Sequence, residues 1–348
     1  GESWSGCRFY DVDIRTELIA VLHKLVEWSS KTAGTTVYQR HGALLALTEV
    51  LRVIYTCMPA VHHCAADREE VLPPALVQAL LGVVPTLERN RGYRGRGNEI
   101  MREASMNLVG ALAASNLPFG ATPASSMGPA MTAVKLHTAL LDSINENLRQ
   151  PHEKVQLAAS AALTAFLFAY SAAGDVANPR AVITAEKVFK ATVGVYCASI
   201  CAVVNANVTN KNSRIYAHCA DNMSVAGGGG ASAVLARDAD TVAVKRGYAL
   251  ALGAVPLNLL RHGGRGGLLA TLSKDVPNTP PETDPLAQLL FLLAQAAGVG
   301  NTVCTGGEPD AELRKYLVQS ACRVTEAAEA SMDLSIDEPG AVTRPHVS

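Results

Sequence analysis

Apolar residues recur at helical spacing in nearly every apolar stretch of the chain. Residues 241–260, TVAVKRGYALALGAVPLNLL, place Ala249 and Leu252 on one apolar stripe. Pro256 is expected to kink or end this helix. The same periodicity predicts helices over residues 11–30, 37–58, 72–87, 99–114, 130–148, 152–173, 182–204, 286–297 and 310–330.

One helical pattern occurs twice, which indicates internal repetition. Residues 40–50 (RHGALLALTEV) and 245–255 (KRGYALALGAV) share a basic first position, a glycine, Leu-Ala-Leu and a final valine. Weaker copies cover 101–112, 155–168 and 313–324 at irregular spacing. Helical-pair repeats of the HEAT or armadillo kind have roughly 40–47 residues each. We therefore predict an all-α, HEAT/armadillo-like α-solenoid of irregular helical repeats over residues 1–330. The acidic, proline-containing residues 331–348 are expected to be a disordered tail.

Each copy of the pattern has a glycine near its start. Glycine within a helix lets a neighbouring helix approach closely, whereas glycine before a helix only marks where the helix begins. Both interpretations stay open for Gly42. Close contact is favoured for Gly247, because helical pattern lies on both sides of it.

Composition limits the class of protein. Of 348 residues, 49% are hydrophobic and only 5% are aromatic, which favours packed helices over a β-sandwich. A formal net charge of -1 argues against nucleic-acid binding. The longest apolar run, residues 157–173, is shorter than the ~20 residues of a membrane span, so we expect no membrane insertion. The 8 cysteines show no disulfide framework, which favours a reducing, cytoplasmic location.

The sequence contains only weak candidates for a metal, phosphate-binding or catalytic site. Cys57, His62, His63 and Cys64 contain zinc-ligand residue types, but their spacing matches no standard zinc site. A polar connector beside a core cysteine is the preferred interpretation. The glycine-rich segments 227–230 and 263–267 lack the ending of a phosphate-binding loop, and no nucleophile elbow is present. We therefore expect no catalytic residues, no metal and no cofactor.

The basic loop, residues 89–98 (RNRGYRGRGN), is the conspicuous charge cluster. Its arginines and its tyrosine are residue types that protein interfaces favour. RNA binding and a merely solvated loop are the alternatives. The tyrosine either anchors in a partner or packs on the chain's own helices. The candidate partner-binding residues are those of this loop and the basic residues of the two pattern copies: Arg89, Arg91, Tyr93, Arg94, Arg96, Arg40, His41, Lys245 and Arg246.

Three blocks of sequence carry a resemblance to a known family. They are RHGA with LALTEV at residues 40–50, YRG with IMR and NLPF at 93–119, and RGYALALGAVP at 246–256. In order and separation they resemble the family of tubulin-specific chaperone D, also called tubulin folding cofactor D. The resemblance covers roughly residues 37–325 and implies a C-terminal part of a longer protein. Residues 227–230 and 262–267 look like insertions relative to the family pattern, and no match extends beyond Glu329.

The resemblance implies a chaperone that performs no chemistry itself. The family captures β-tubulin, joins cofactor E with α-tubulin, and with cofactor C stimulates GTP hydrolysis by tubulin to release the heterodimer. It also binds an Arf-like small GTPase, and its location is cytoplasmic and cytoskeletal. A HEAT-repeat scaffold for transport or phosphatase complexes would share the repeats without the YRG block. An enzyme would need a pocket with convergent polar groups.

Overall fold

Helices make up most of the chain that the structure describes. The computed structural model describes residues 12–31, 34–57, 72–93, 97–119, 133–170, 185–200, 242–257, 259–260, 285–297 and 311–336. Within these ranges every regular element is a helix and no strand occurs. The predicted all-α fold class is therefore confirmed. No helix among these residues is long and apolar enough to cross a membrane.

The described helices are α1 (Val12–Ser30), α2 (Val37–Cys57), α3 (Pro74–Leu81), α4 (Val83–Arg89), α5 (Asn98–Ala114), α6 (Ala133–Leu148), α7 (Glu153–Tyr170), α8 (Ala185–Phe189), α9 (Val242–Leu252), α10 (Pro285–Ala296) and α11 (Ala311–Ile336). After α8 the chain forms a π-helical turn, Lys190–Gly194, and continues as helix over residues 195–200.

The helices pack in two layers, as in an α-solenoid. In one layer α2 contacts α5, α5 contacts α7, α7 contacts α9, and α9 contacts α11. In the other layer α1 contacts α4, and α4 contacts α6. Pairs that are close in sequence, such as α1 with α2, α6 with α7 and α10 with α11, join the two layers. The buried side chains between the layers form one continuous apolar cluster dominated by Leu, Val and Ala.

The predicted helix over residues 72–87 is two helices. The backbone turns at Gly82, whose N–H donates to the Gln78 carbonyl oxygen at 2.9 Å. Pro85 lies within α4 and has no N–H to donate to the carbonyl of Leu81, so a continuous helix would lose a hydrogen bond there. The break lets α4 run beside both α1 and α6.

The boundary predicted near residue 330 is also different in the structure. Helix α11 continues to Ile336, so residues 331–336 are helical and do not belong to a disordered tail. The rest of that predicted tail lies outside the described residues.

Helix α9 makes backbone-close contacts on two sides. A Cβ atom added to Gly247 would overlap the Leu148 carbonyl oxygen and lie 2.7 Å from the carbonyl carbon. A Cβ atom added to Gly253 would lie 2.8 Å from the Cα atom of Ser320 on α11. The predicted close contact at Gly247 is therefore present. The helix ends at Leu252, before Pro256, and Gly253 follows it as a turn residue.

The surroundings of Gly42 agree neither with close helix–helix contact nor with a glycine that precedes the helix. It lies inside α2 and therefore does not precede the helix. It is exposed, and a Cβ atom added there would meet nothing within 4 Å. The two copies of the pattern thus share a sequence but use their glycines differently.

An aromatic cluster fastens the segment between α5 and α6. Phe119 packs edge-on to Tyr170 with ring centroids 4.5 Å apart, and Phe166 lies 4.7 Å from the His137 ring. The Tyr170 hydroxyl donates to the Leu117 carbonyl oxygen at 2.9 Å. The NLPF block is therefore a packing element in this fold.

Candidate partner-binding cleft

A cleft of about 700 Å³ opens where α4, α6, the π-helical turn and α9 meet. It is lined by Glu88, Arg91, Tyr93, Arg102, Asp142, Asn145, Glu146, Arg149, Ala191, Val195 and Tyr248. Tyr93 and Arg102 belong to the YRG and IMR block, and Tyr248 belongs to the RGYALALGAVP block. Segments about 150 residues apart in sequence therefore line one concave surface.

The end of α4 positions Arg91 at the rim of the cleft. The Gly92 N–H donates to the Leu87 carbonyl oxygen at 2.7 Å, and the Arg91 N–H donates to Glu88 O at 2.9 Å. This pair of bonds is the Schellman arrangement that ends many helices. Arg91 has a φ of 54°, the left-handed conformation that glycine usually supplies at this position. Its side chain is exposed, so the turn presents a guanidinium to solvent.

Tyr93 forms part of the floor. It is 8% exposed, and the Arg102 guanidinium carbon lies 4.9 Å from the centroid of its ring. Arg102 Nη1 also donates to Asn147 Oδ1 at 3.1 Å. Burial, together with the charge of Glu88, raises the pKa of the Tyr93 phenol.

Carboxylates from α4 and α6 form one wall. The Ser143 hydroxyl donates to Glu88 Oε1. Burial raises the pKa of Glu88; the Ser143 hydrogen bond and the charge of Arg102 lower it, and the negative charges of Glu146 and Asp142 raise it. Burial also raises the pKa of Asp142. Glu146 forms an ion pair with Arg149 at 3.7 Å.

The opposite wall is less polar. Ala191 and Val195 come from the π-helical turn and the residue after it. The Tyr196 hydroxyl donates to Asn145 Oδ1 at 2.5 Å and so joins this segment to α6. Tyr196 and Tyr248 lie with ring centroids 5.0 Å apart. A π-helical turn often occurs at a functional site, because the extra residue redirects neighbouring side chains.

The structure gives the residues of the predicted basic loop different surroundings. Arg89 and Arg91 are exposed at the end of α4. Tyr93 is buried, so of its two interpretations the structure favours packing on the chain's own helices over insertion into a partner. Arg94 and Arg96 lie outside the described residues.

The two candidate partner-binding residues of the first pattern copy also differ in exposure. Arg40 is 8% exposed, and its Nη1 donates to the Thr35 carbonyl oxygen at 3.2 Å. Its side chain therefore holds the turn before α2, and the expectation that it offers a surface charge is not met. His41 is partly exposed on α2, away from the cleft lining.

Lys245 and Arg246 lie partly exposed on α9. Arg246 Nη2 donates to the Pro151 carbonyl oxygen at 3.3 Å. The Tyr316 hydroxyl donates to Glu153 Oε1 beside it. The first contact joins α9 to the α6–α7 connection, and the second joins α7 to α11. Arg246 therefore has a structural role.

The predicted absence of a zinc site is not tested by the structure. His62, His63 and Cys64 lie outside the described residues, as does the side chain of Cys57. Among the described residues no group of three His, Cys, Asp or Glu side chains could hold a metal ion.

The acidic wall was missed at the sequence level. Asp142 and Glu146 lie four residues apart on amphipathic α6, which places them on one face. The sequence predicts that these two carboxylates share a face of α6. It does not predict that they lie in the same cleft as Glu88, because that depends on the break between α3 and α4.

Comparison with known proteins adds no family assignment. No family model matches this chain, and no solved structure matches it.

Proposed function

We propose that this chain is a non-catalytic scaffold of the tubulin-cofactor type, which binds β-tubulin through the rim and walls of the cleft. The observation that carries the proposal is the meeting of two resemblance blocks. Tyr93 and Arg102 from one block, and Tyr248 from another, line the same concave surface. A shared partner-binding surface is a physical reason for distant blocks of one pattern to occur together.

The shape and charge of the surface suit a folded protein partner. Two-layered helical repeats present extended concave surfaces that bind folded clients. The exposed Arg91 at the rim and the exposed Arg89 at the end of α4 would speed encounter with the acidic surface of tubulin and fix its orientation. In the proposed role the chain works with cofactors C and E, stimulates GTP hydrolysis by tubulin, and also binds an Arf-like small GTPase. The proposed location is the cytoplasm, in association with the cytoskeleton.

The experiment is a direct binding titration with purified αβ-tubulin. The wild-type chain is expected to bind tubulin, and the double variant Arg89→Ser/Arg91→Ser is expected to bind less tightly, most clearly at low salt. The matched control, Arg314→Ser/Arg323→Ser, removes the same charge from exposed positions on α11 and is expected to bind like wild type.

The outcomes separate the proposal from its alternative. No tubulin binding by wild type would reject the tubulin proposal and leave a general HEAT-repeat scaffold. Equal weakening by both double variants would show that net charge alone is responsible, and would reject the rim as the contact.

A further inference from the structure

We propose that the exposed side of α2 binds a second copy of this chain, so that the protein forms a dimer with two-fold symmetry. This side is lined by Tyr38, Gly42, Leu45 and Glu49, which we call the α2 stripe. Residues three or four apart lie on the same face of a helix, so the four positions form one row. The α2 stripe lies outside the cleft, and the inference does not rest on the proposed function.

The α2 stripe is largely apolar and is not covered by another helix of the described chain. Tyr38 is 79% exposed and Leu45 is 41% exposed, and a Cβ atom added to Gly42 would meet nothing within 4 Å. The main contacts of α2 are with α1 and α5, which pack on its other sides. Exposed apolar residues that are contiguous mark surfaces for interaction with another molecule.

The second copy of the sequence pattern shows what such a row receives. The glycine and leucine of the α2 stripe correspond to Gly247 and Leu250 on α9, and Leu250 is 0% exposed. The Ser160 hydroxyl on α7 donates to the Leu250 carbonyl oxygen at 3.2 Å. A Cβ atom added to Gly247 would lie 2.7 Å from the carbonyl carbon of Leu148 at the end of α6. The helical pair α6–α7 therefore fills on α9 the row that is open on α2, which indicates that the α2 stripe also receives helices.

The α2 stripe is complementary to itself when two copies lie antiparallel, at the spacing of four, three and four residues that forms the seam of a coiled coil. With Leu45 of one copy opposite Gly42 of the partner subunit, the two-fold axis repeats the contact with the roles exchanged. The same register places Tyr38 opposite Glu49 of the partner subunit, because the tyrosine lies four residues before the glycine and the glutamate four residues after the leucine. The phenol can donate to this carboxylate, whose Oε1 accepts from Arg52 and whose Oε2 accepts from no described residue.

A second copy matches the α2 stripe in charge as well as in shape. Glu49 and Arg52 form an ion pair within α2, so opposite charges balance on this side and two identical faces do not repel each other. Trp28 is 44% exposed at the end of α1 that connects to α2, and tryptophan and tyrosine are enriched where two proteins meet. A helical pair of another protein would have to supply a leucine, a glycine and a carboxylate in the same order, whereas a second copy has all three.

Sedimentation equilibrium of the full chain at several concentrations tests the dimer. Wild type is expected to approach twice the mass of the 36.5 kDa chain as its concentration rises. Gly42→Leu is expected to raise the dissociation constant of the dimer by roughly tenfold or more, because two leucines would then meet where leucine meets glycine. Each copy should still fold, since the added side chain meets open space within the chain.

The double variant Gly42→Leu/Leu45→Gly exchanges the two residues and keeps the composition of wild type. It is expected to dimerise more tightly than Gly42→Leu, because leucine again lies opposite glycine. A matched control, Thr325→Leu, adds a leucine at an exposed position on α11 and is expected to dimerise like wild type. Tyr38→Ser changes an exposed side chain, so it leaves folding intact and is expected to weaken the dimer. Circular dichroism and thermal melting establish that each variant is folded.

The inference is overturned if wild type stays monomeric at the highest soluble concentration, which would leave the α2 stripe to a helical pair from another protein. It is also overturned if Gly42→Leu or Tyr38→Ser is folded and dimerises like wild type, or if Thr325→Leu weakens the dimer as much as they do. Failure of the exchanged variant to dimerise more tightly than Gly42→Leu would reject the antiparallel register on which the inference rests. A dimer that both single variants of the α2 stripe weaken and the exchange restores would support it.

Discussion

Gly247 and Gly42 occupy equivalent positions in the two pattern copies but have opposite surroundings. A side chain at Gly247 would overlap the backbone of Leu148, whereas one at Gly42 would meet open space. We expect Gly247→Leu to lower the free energy of unfolding by about 1–3 kcal/mol or more, and Gly247→Ala to lower it too. Gly42→Ala should raise it by up to about 1 kcal/mol, since alanine favours helix. Urea denaturation measures both, and equal effects at the two sites would contradict the assignment.

Arg91 keeps a left-handed backbone at the end of α4, which is unfavourable for a residue with a Cβ atom. Arg91→Gly should therefore be neutral or stabilising, by up to about 1 kcal/mol, even though it removes a side chain. Arg91→Ala keeps the unfavourable conformation and should bring no gain. A clear loss of stability in the glycine variant, measured by the same denaturation, would show that the side chain itself holds the turn.

The sequence predicts the surroundings of some residues better than those of others. The contact at Gly247 was predictable because helical pattern lies on both sides of it. The burial of Tyr93 and Arg40 was not, because a tyrosine or an arginine in a glycine-rich or turn segment has the same sequence signal whether it faces inward or outward. Only the position of α5 beside Tyr93, and of the turn before α2 beside Arg40, decides between the two.

Among the elements, the aromatic cluster joins α6, α7 and the segment after α5, and it encloses His137. That residue is 0% exposed, and neither of its ring nitrogens has a hydrogen-bond partner among the described residues. Burial lowers the pKa of His137 to about 4.

The lowered pKa of His137 predicts a loss of stability in acid. The unfolded chain takes up this proton near pH 6.5, whereas the folded chain takes it up only near pH 4. The free energy of unfolding should thus fall as pH decreases from 6.5 to 4, by roughly 3 kcal/mol for this group. His137→Phe should flatten that part of the pH profile relative to wild type. Parallel profiles for the two proteins, from chemical denaturation, would contradict the burial of a neutral histidine.

The helix boundaries show where the periodicity of apolar residues no longer predicts the structure. The apolar pattern predicted most helices to within a few residues. It joined α3 to α4, because apolar residues continue across Gly82 and only Pro85 signals the break. It also failed to extend α11 to Ile336, since that segment is acidic on the outside and has the composition of a disordered tail.

For the whole molecule, the two-layer helical packing predicts a far-ultraviolet circular dichroism spectrum dominated by helix. Every regular element of the described chain is helical, and the core is built from Leu, Val and Ala between the layers. A spectrum dominated by a strand signal would contradict the fold. The solenoid class was predictable from repetition, but the cleft was not, because it forms from segments that repetition alone does not bring together.

The side-chain amide of Gln156 on α7 joins that helix to α9 and to the end of α6. Gln156 is fully buried, and its Nε2 lies 3.0 Å from the carbonyl oxygen of Leu148, 2.7 Å from that of Gln150 and 2.6 Å from that of Ala243. Its two N–H groups are therefore shared among three acceptors. Stacked repeats open from their ends, and each opening stops where the next interface is strongest. Amide protons of α10 and α11 should therefore exchange with deuterium before those of α9, and α7 should exchange last. Replacing Gln156 with methionine should make α9 exchange together with α10 and α11, so that a single amide sets the order in which the stack opens.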